Sequence, residues 1–237
     1  MNTAFDPSVH GFGFRNRFAG SHVIAELARQ DRIAEIIGID VPGPLRSALG
    51  LASHAEFWDG FGLCGGMAWA SLDNFEADRI SERETDSAAP GTPLFTRLVT
   101  RQADSFQRTR LIARLLEWSA LPSSSAWWGF WMDSVGRRVT NWEWPLLRAS
   151  LDGGRPRALC LMRSKRLDQI SRNHQVVAIG YTEDAGRISL SLYDPNHPGD
   201  TPTITFTTTS FLNRIEIVQS TGEPIVGFFV WPPDDTD

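Results

Sequence analysis

The hydrophobic pattern of this chain changes its period near the middle, and that change constrains the fold more than any single motif. From about Ser21 to Leu151 apolar residues recur at helical spacing, whereas from about Arg157 to Trp231 they alternate or form short runs. A period near 3.6 residues indicates amphipathic helices, and a period of two indicates strands. Helices followed by an antiparallel sheet make an α+β fold, which is the class we expect here.

Four helices are predicted in the first half. Ser21 can cap a helix that ends at Gly38, and a second helix is expected to begin at Cys64. A long third helix is predicted over Leu94–Trp118 and a short fourth over Trp144–Leu151.

Six strands are predicted in the second half, with short turns that suit antiparallel hairpins. They are Ala158–Arg163, Gln175–Tyr181, Ile188–Tyr193, Thr203–Phe206, Ile215–Val218 and Val226–Trp231. A chain of 237 residues buries a sizeable core without disulfides. We expect one domain over residues 1–237, with a helical half (about 21–151) packed on a sheet half (about 157–231).

Charge and composition exclude several classes of partner. The net charge is −5 and the basic residues are scattered, which argues against nucleic acid or an anionic membrane. The chain has no apolar run of about 18 residues and no signal-like N-terminus, so we expect a cytoplasmic protein without a membrane span. Secretion that needs no signal stays open. Arginine supplies all but one of the 23 basic residues, a codon bias typical of bacteria with GC-rich genomes.

The sharpest motif is the glycine-flanked cysteine in Gly62-Leu63-Cys64-Gly65-Gly66. A helix start offers unpaired N–H groups and partial positive charge, which lower the pKa of a thiol. Glycines keep the approach open and leave backbone N–H groups for a developing oxyanion. The alternative is a small buried cysteine packed among glycines. The other cysteine, Cys160, lies in a strand-like run and is predicted to be an inert core thiol, with no disulfide between the two.

Two further residues complete a possible catalytic series. His174 opens an apolar strand, and Asp194 ends the next strand, where Pro195 stops it. The start of one strand lies beside the end of its antiparallel neighbour, so His174 and Asp194 can meet. With Cys64 they form a nucleophile, base and orienting group. The alternatives are a histidine satisfied at a strand end and an ordinary Asp-Pro turn.

On these residues the chain resembles the papain-like cysteine peptidases from about Phe57 to Trp231, in the Cys…His…Asp order and in the layout of helices before sheet. It is similar in particular to the bacterial leader-peptide-cleaving branch. That similarity is carried by two stretches, His174-Gln175-Val176-Val177 and Tyr193-Asp194-Pro195. The resemblance implies that Cys64 is the nucleophile, His174 the base and Asp194 the orienting group. Asn196 is the alternative orienting residue, because papain itself has an asparagine in that role.

The chain departs from papain just before the cysteine. Papain-like enzymes carry a glutamine there as an oxyanion donor, and this segment has none. The backbone N–H of Gly65 and the Trp58 indole are candidate replacements. The function expected is a thiol hydrolase that cleaves a peptide or amide through a thioester. A non-catalytic papain-like binding protein, or an acyltransferase with the same triad, is the alternative, and the substrate is not defined.

No cofactor or metal is expected. A calcium loop built from Asp194, Asn196 and Asp200 is conceivable, but it lacks a carboxylate-rich pattern. No zinc-ligand spacing joins the histidines of the first half with one another or with Cys160. These histidines are His10, His22 and His54.

Overall fold

A computed structural model describes residues 1–33, 62–82, 86–107, 110–123, 133–208 and 215–232. These residues form helices and one antiparallel sheet, so the α+β class is confirmed. The α-helices are α1 (Pro7–His10), α2 (Gly20–Arg29), α3 (Cys64–Glu76), α4 (Pro93–Ser105), α5 (Arg110–Ala120), α6 (Val135–Arg138) and α7 (Trp144–Asp152). A π-helical turn, Val139–Glu143, joins α6 to α7, and a 3₁₀ helix covers Leu167–Arg172.

Two of the predicted helices need correction. Ser21 is not a cap, because α2 begins at Gly20 after Ala19, which makes no side-chain cap bond. The expected long helix is two helices, α4 and α5, with a positive φ of 44° at Gln107 between them. The carbonyl of Ser105 accepts the Trp231 indole N–H at 2.6 Å, so the last turn of α4 is bonded to a distant side chain. The predicted starts at Cys64 and Trp144 are confirmed.

The strands form one six-stranded antiparallel sheet in the order β5-β4-β3-β2-β1-β6. Most lie where predicted, but only Val218 of the predicted strand Ile215–Val218 is in a strand, the two-residue β5. The observed strands are β1 (Arg157–Met162), β2 (His174–Asp184), β3 (Arg187–Tyr193), β4 (Thr203–Thr207), β5 (Val218–Gln219) and β6 (Gly227–Val230). The neighbouring central strands β2 and β3 form a hairpin. His174 is the first residue of β2, and Asp194 directly follows β3, so the two residues lie at the same end of the hairpin.

The N-terminal segment lies alongside β2 and is hydrogen-bonded to it. Thr3 donates its backbone N–H to the Ile179 carbonyl at 2.9 Å, and Asn2 forms a bridge with Gly180. The β2–β3 register shifts between Ala178 and Gly180, where the N-terminal segment joins β2.

One continuous apolar core joins the helices to the sheet, and within it the Trp118 and Phe229 rings lie 5.2 Å apart. A smaller cluster lies between α3 and β2 and includes Ala68, Val177 and Tyr193. Each large side chain buried in this way contributes about 2 kcal/mol. This packing holds the start of α3 against the start of β2. Within the described residues no helix is long and apolar enough to cross a bilayer.

Candidate active site

Close packing of α3 against α4 explains the glycines after Cys64. A Cβ on Gly66 would lie 2.1 Å from the Leu98 carbonyl oxygen, and one on Gly65 would lie 2.4 Å from Ser105 Oγ. Real Cβ atoms do not approach backbone oxygens so closely, so only glycine fits at position 66. The sequence interpretation, in which these glycines keep the approach to the sulfur open, is therefore incomplete.

The backbone N–H of Gly66 is not free for an oxyanion. It donates to Gln102 Oε1 at 2.8 Å, which satisfies one of the unpaired donors at the start of α3. The N–H of Gly65 hydrogen-bonds the Cys64 thiol and lowers its pKa. The prediction that these glycines leave backbone N–H groups for an oxyanion is therefore wrong for Gly66, and the Gly65 N–H already bonds the sulfur.

A layer of buried, hydrogen-bonded polar residues packs against the start of α3. Gln175 Nε2 donates to Ser105 Oγ at 3.1 Å, and Ser105 Oγ donates to the Gln102 carbonyl at 2.8 Å. All three side chains are at most 1% exposed. Sequence reasoning missed this layer, although Gln102 interrupts the apolar stripe of α4 between Leu98 and Phe106. A polar residue at a core position of that kind was the available signal.

The structure brings Cys64, His174 and Asp194 together. His174 Nε2 lies 2.7 Å from Asp194 Oδ1, so the contact predicted from hairpin geometry is present. His174 also lies close enough to the Cys64 thiol for its charge to lower the pKa of that thiol. Because Asp194 takes Nε2, Nδ1 is the ring nitrogen left for the sulfur. The backbone N–H of Gln175 donates to Cys64 Sγ at 3.5 Å.

These contacts favour a thiolate beside an imidazolium. Burial opposes charge on all three groups, but partner interactions outweigh it. For Cys64, burial raises the thiol pKa, yet the hydrogen bond and charge of His174 bring it below its ordinary value. For His174, burial lowers the imidazole pKa, but the charge and hydrogen bond of Asp194 and the contact with Cys64 raise it to about 9. The pKa of Asp194 is lowered against its burial, chiefly by the charge of His174.

The three side chains are closed from solvent in this conformation. Cys64 is 1% exposed, His174 4% and Asp194 0%. A cavity of about 230 Å³ lies beside the second half of α3, with Trp69 and Leu72 in its wall, and none of the three residues lines it. A substrate can reach the sulfur only when the site opens.

The remaining predicted site residues have different positions. Asn196 does not hold the imidazole with its side chain: its Oδ1 accepts from Asn16 Nδ2 at 3.1 Å, while its backbone N–H donates to Asp194 Oδ1 at 2.8 Å. Trp58 lies outside the described residues. Cys160 is 2% exposed in β1, and burial raises its pKa well above the ordinary value. Both thiols are free, as predicted.

One cluster of possible metal ligands lies next to Asp194. Asp194, His197 and Glu223 each place one possible ligand atom within 4.8 Å of the others. Glu223 Oε2 accepts from Arg163 at 2.7 Å and lies 3.4 Å from His197 Nε2. An arginine thus already supplies positive charge here, and the cluster has the chemistry of an ion-pair network.

Comparison with known proteins gives no relative: no family model matches the chain, and no curated protein or solved structure does. The function has to be inferred from the chain's own residues and their geometry. Of these, the contact series from sulfur to imidazole to carboxylate has the most specific chemistry.

Proposed function

We propose that this protein is a thiol-dependent hydrolase of a peptide or amide bond, a distant papain-like enzyme with Cys64 as nucleophile. One observation carries the proposal. A thiol whose pKa is lowered contacts an imidazole whose pKa is raised, and a buried carboxylate 2.7 Å away stabilises that imidazole. Such an arrangement gives the sulfur a larger thiolate fraction than an ordinary buried cysteine has, and the thiolate is the nucleophile.

The chemistry follows from the position of each proton. The Cys64 thiolate attacks the carbonyl carbon, a C–S bond forms, and negative charge moves to the carbonyl oxygen. The His174 imidazolium gives the proton on Nδ1 to the departing amine as the C–N bond breaks. His174 then removes a proton from water, which attacks the thioester and releases the acid as the C–S bond breaks. Throughout, Asp194 keeps its bond to Nε2 and fixes the ring.

An acyltransferase reaction uses the same first half. In that case an amine replaces water in the second step, and His174 removes the proton from the amine instead. The residues described here fit both outcomes, because the thioester is common to them.

Burial of the sulfur favours one alternative, a non-catalytic binding protein that keeps the fold. A thiol that is 1% exposed has no contact with solvent in this conformation. The alternatives differ in a measurable way: an enzyme opens the site and turns over an acyl group, whereas a binding protein leaves the sulfur unmodified.

The test uses p-nitrophenyl acetate as a small acyl donor. The native protein should release p-nitrophenol and carry an acetyl group on Cys64, mapped by peptide mass spectrometry. C64A and H174A should lose acetylation while remaining folded by circular dichroism, and C160A should retain it. Addition of a primary amine then separates transfer from hydrolysis by the product formed. Acetylation of Cys160 with Cys64 unmodified would overturn the assignment.

A further inference from the structure

Asn16 connects two parts of the site that are distant in sequence. Its Oδ1 accepts the backbone N–H of Leu63 at 2.8 Å, the residue directly before Cys64. Its Nδ2 donates to Asn196 Oδ1 at 3.1 Å, and its backbone N–H donates to the Pro195 carbonyl at 2.9 Å. One residue thus hydrogen-bonds both the start of α3 and the loop that follows Asp194.

The Asn16 side chain lies so close to residue 62 that only a glycine fits there. Gly62 has φ +56°, and a Cβ there would lie 2.7 Å from Asn16 Oδ1. A side chain at position 62 would therefore meet both backbone strain and a clash. The turn into α3 has the conformation that lets Asn16 reach the Leu63 N–H.

The segment that carries Asn16 is held firmly on both sides. Phe14 is fully buried, and the Phe18 ring packs on Phe14 at 6.4 Å and on Phe95 of α4 at 5.9 Å. Arg15 Nε donates to the Asn196 carbonyl at 2.6 Å, a second bond to the same loop. Because these contacts already hold the segment in place, the Asn16 side chain loses little conformational entropy when it forms its hydrogen bonds. It can therefore fix the distance between Leu63 and Asn196.

We propose that Asn16 is a positioning residue for the thiol–imidazole pair, which sets the start of the nucleophile helix against the loop of the orienting aspartate. It contacts none of the reacting atoms. The loop holds Asp194 and, through it, His174, while Leu63 leads into Cys64. When the Asn16 bonds are lost, α3 keeps its packing on β2, but its start is no longer bonded to the loop of Asp194, and the sulfur is held less closely against the imidazole. This inference rests on the proposed function.

The test measures the rate of Cys64 alkylation by iodoacetamide across pH in the full chain. Variants N16A, N196A and N16A/N196A form a double-mutant cycle. T3A is the matched control, because Thr3 Oγ1 also bonds the N-terminal segment to the sheet, at the Ile179 carbonyl 2.7 Å away.

We expect N16A to move the acid limb of the profile to higher pH and to slow alkylation most on that limb, where a rise of one unit in thiol pKa lowers the thiolate fraction about tenfold. N196A should give part of this effect, and the double variant should equal N16A alone. T3A should match the native profile.

A lower unfolding temperature for N16A with an unchanged alkylation profile would overturn the proposal, because a purely structural bond would behave in that way. If N16A does not fold, N196A still decides, since it removes only the side-chain bond of a half-buried loop residue. An ordinary thiol pKa in the native protein would instead contradict the proposed function itself.

Discussion

The two cysteines of this chain are almost equally buried, and yet their surroundings drive their acidities in opposite directions. Cys64 is 1% exposed and Cys160 is 2% exposed. The pKa of Cys64 is lowered, whereas that of Cys160 is raised well above the ordinary value. Burial alone makes a thiol inert, so the difference comes from what each sulfur touches.

Cys160 lies inside β1, between strands on both sides, where burial and the nearby charge of Cys64 both oppose a thiolate. Cys64 lies at a helix start, where an imidazole and two backbone N–H groups face its sulfur. The acidity of each thiol therefore depends on which secondary-structure elements surround its sulfur. The following experiments test that contrast.

The largest effect is expected in the rates of alkylation of the two thiols. In the native protein at pH 7, iodoacetamide should modify Cys64 roughly 100-fold faster than Cys160, because the thiolate is the reacting form. C64A should lose the fast phase and C160A should keep it, measured by mass spectrometry of quenched samples. Equal rates would remove the distinction.

The second experiment tests the crowding around Cys64. G66A places a Cβ 2.1 Å from the Leu98 carbonyl oxygen and forces α3 and α4 apart. We expect a loss of about 2 kcal/mol in the free energy of unfolding, measured by urea denaturation. G153A is the control, because its nearest contacts lie at 3.3 Å and 3.4 Å, and it should lose less than about 0.5 kcal/mol. A stable G66A would show that the helices have room to relax.

Removal of the imidazole should make Cys64 resemble an ordinary buried thiol. In H174A the thiol pKa should rise, so alkylation at pH 7 falls about tenfold or more and then increases with pH. The native rate should reach its plateau at a lower pH than the H174A rate, because His174 lowers the pKa of the Cys64 thiol. H22A, which replaces an exposed histidine, should keep the native profile. A profile that is the same in H174A and the native protein would show that His174 does not activate the sulfur.

The smallest effect is expected at the other thiol. C160A removes a buried sulfur from β1 and should cost about 1 kcal/mol of unfolding free energy. It should leave the pH profile of Cys64 alkylation almost unchanged, because the Cys160 thiol is uncharged at neutral pH. A large change in that profile would mean that the two sulfurs are coupled, and the two sites would then not be independent.

Local patterns predicted the fold class, the start of α3 and the contact between His174 and Asp194. Those features depend on periodicity and on residues within one hairpin, which sequence spacing reveals. The break between α4 and α5 was missed, because the Ser105 carbonyl is bonded by Trp231, a residue from the far end of the chain. The roles of Gln102 and Asn16 were missed for the same reason: their partners are set by packing between elements.

The contact between Asn16 and Asn196 spans 180 residues, and the one between Cys64 and Gln175 spans 111. A nascent chain on the ribosome holds the cysteine long before it holds the partners that activate it. Until the second half emerges and pairs, the thiol has the modest nucleophilicity of any free cysteine. Under the proposed function, the Cys64 thiol is therefore activated only after folding has brought His174 and Gln175 to it.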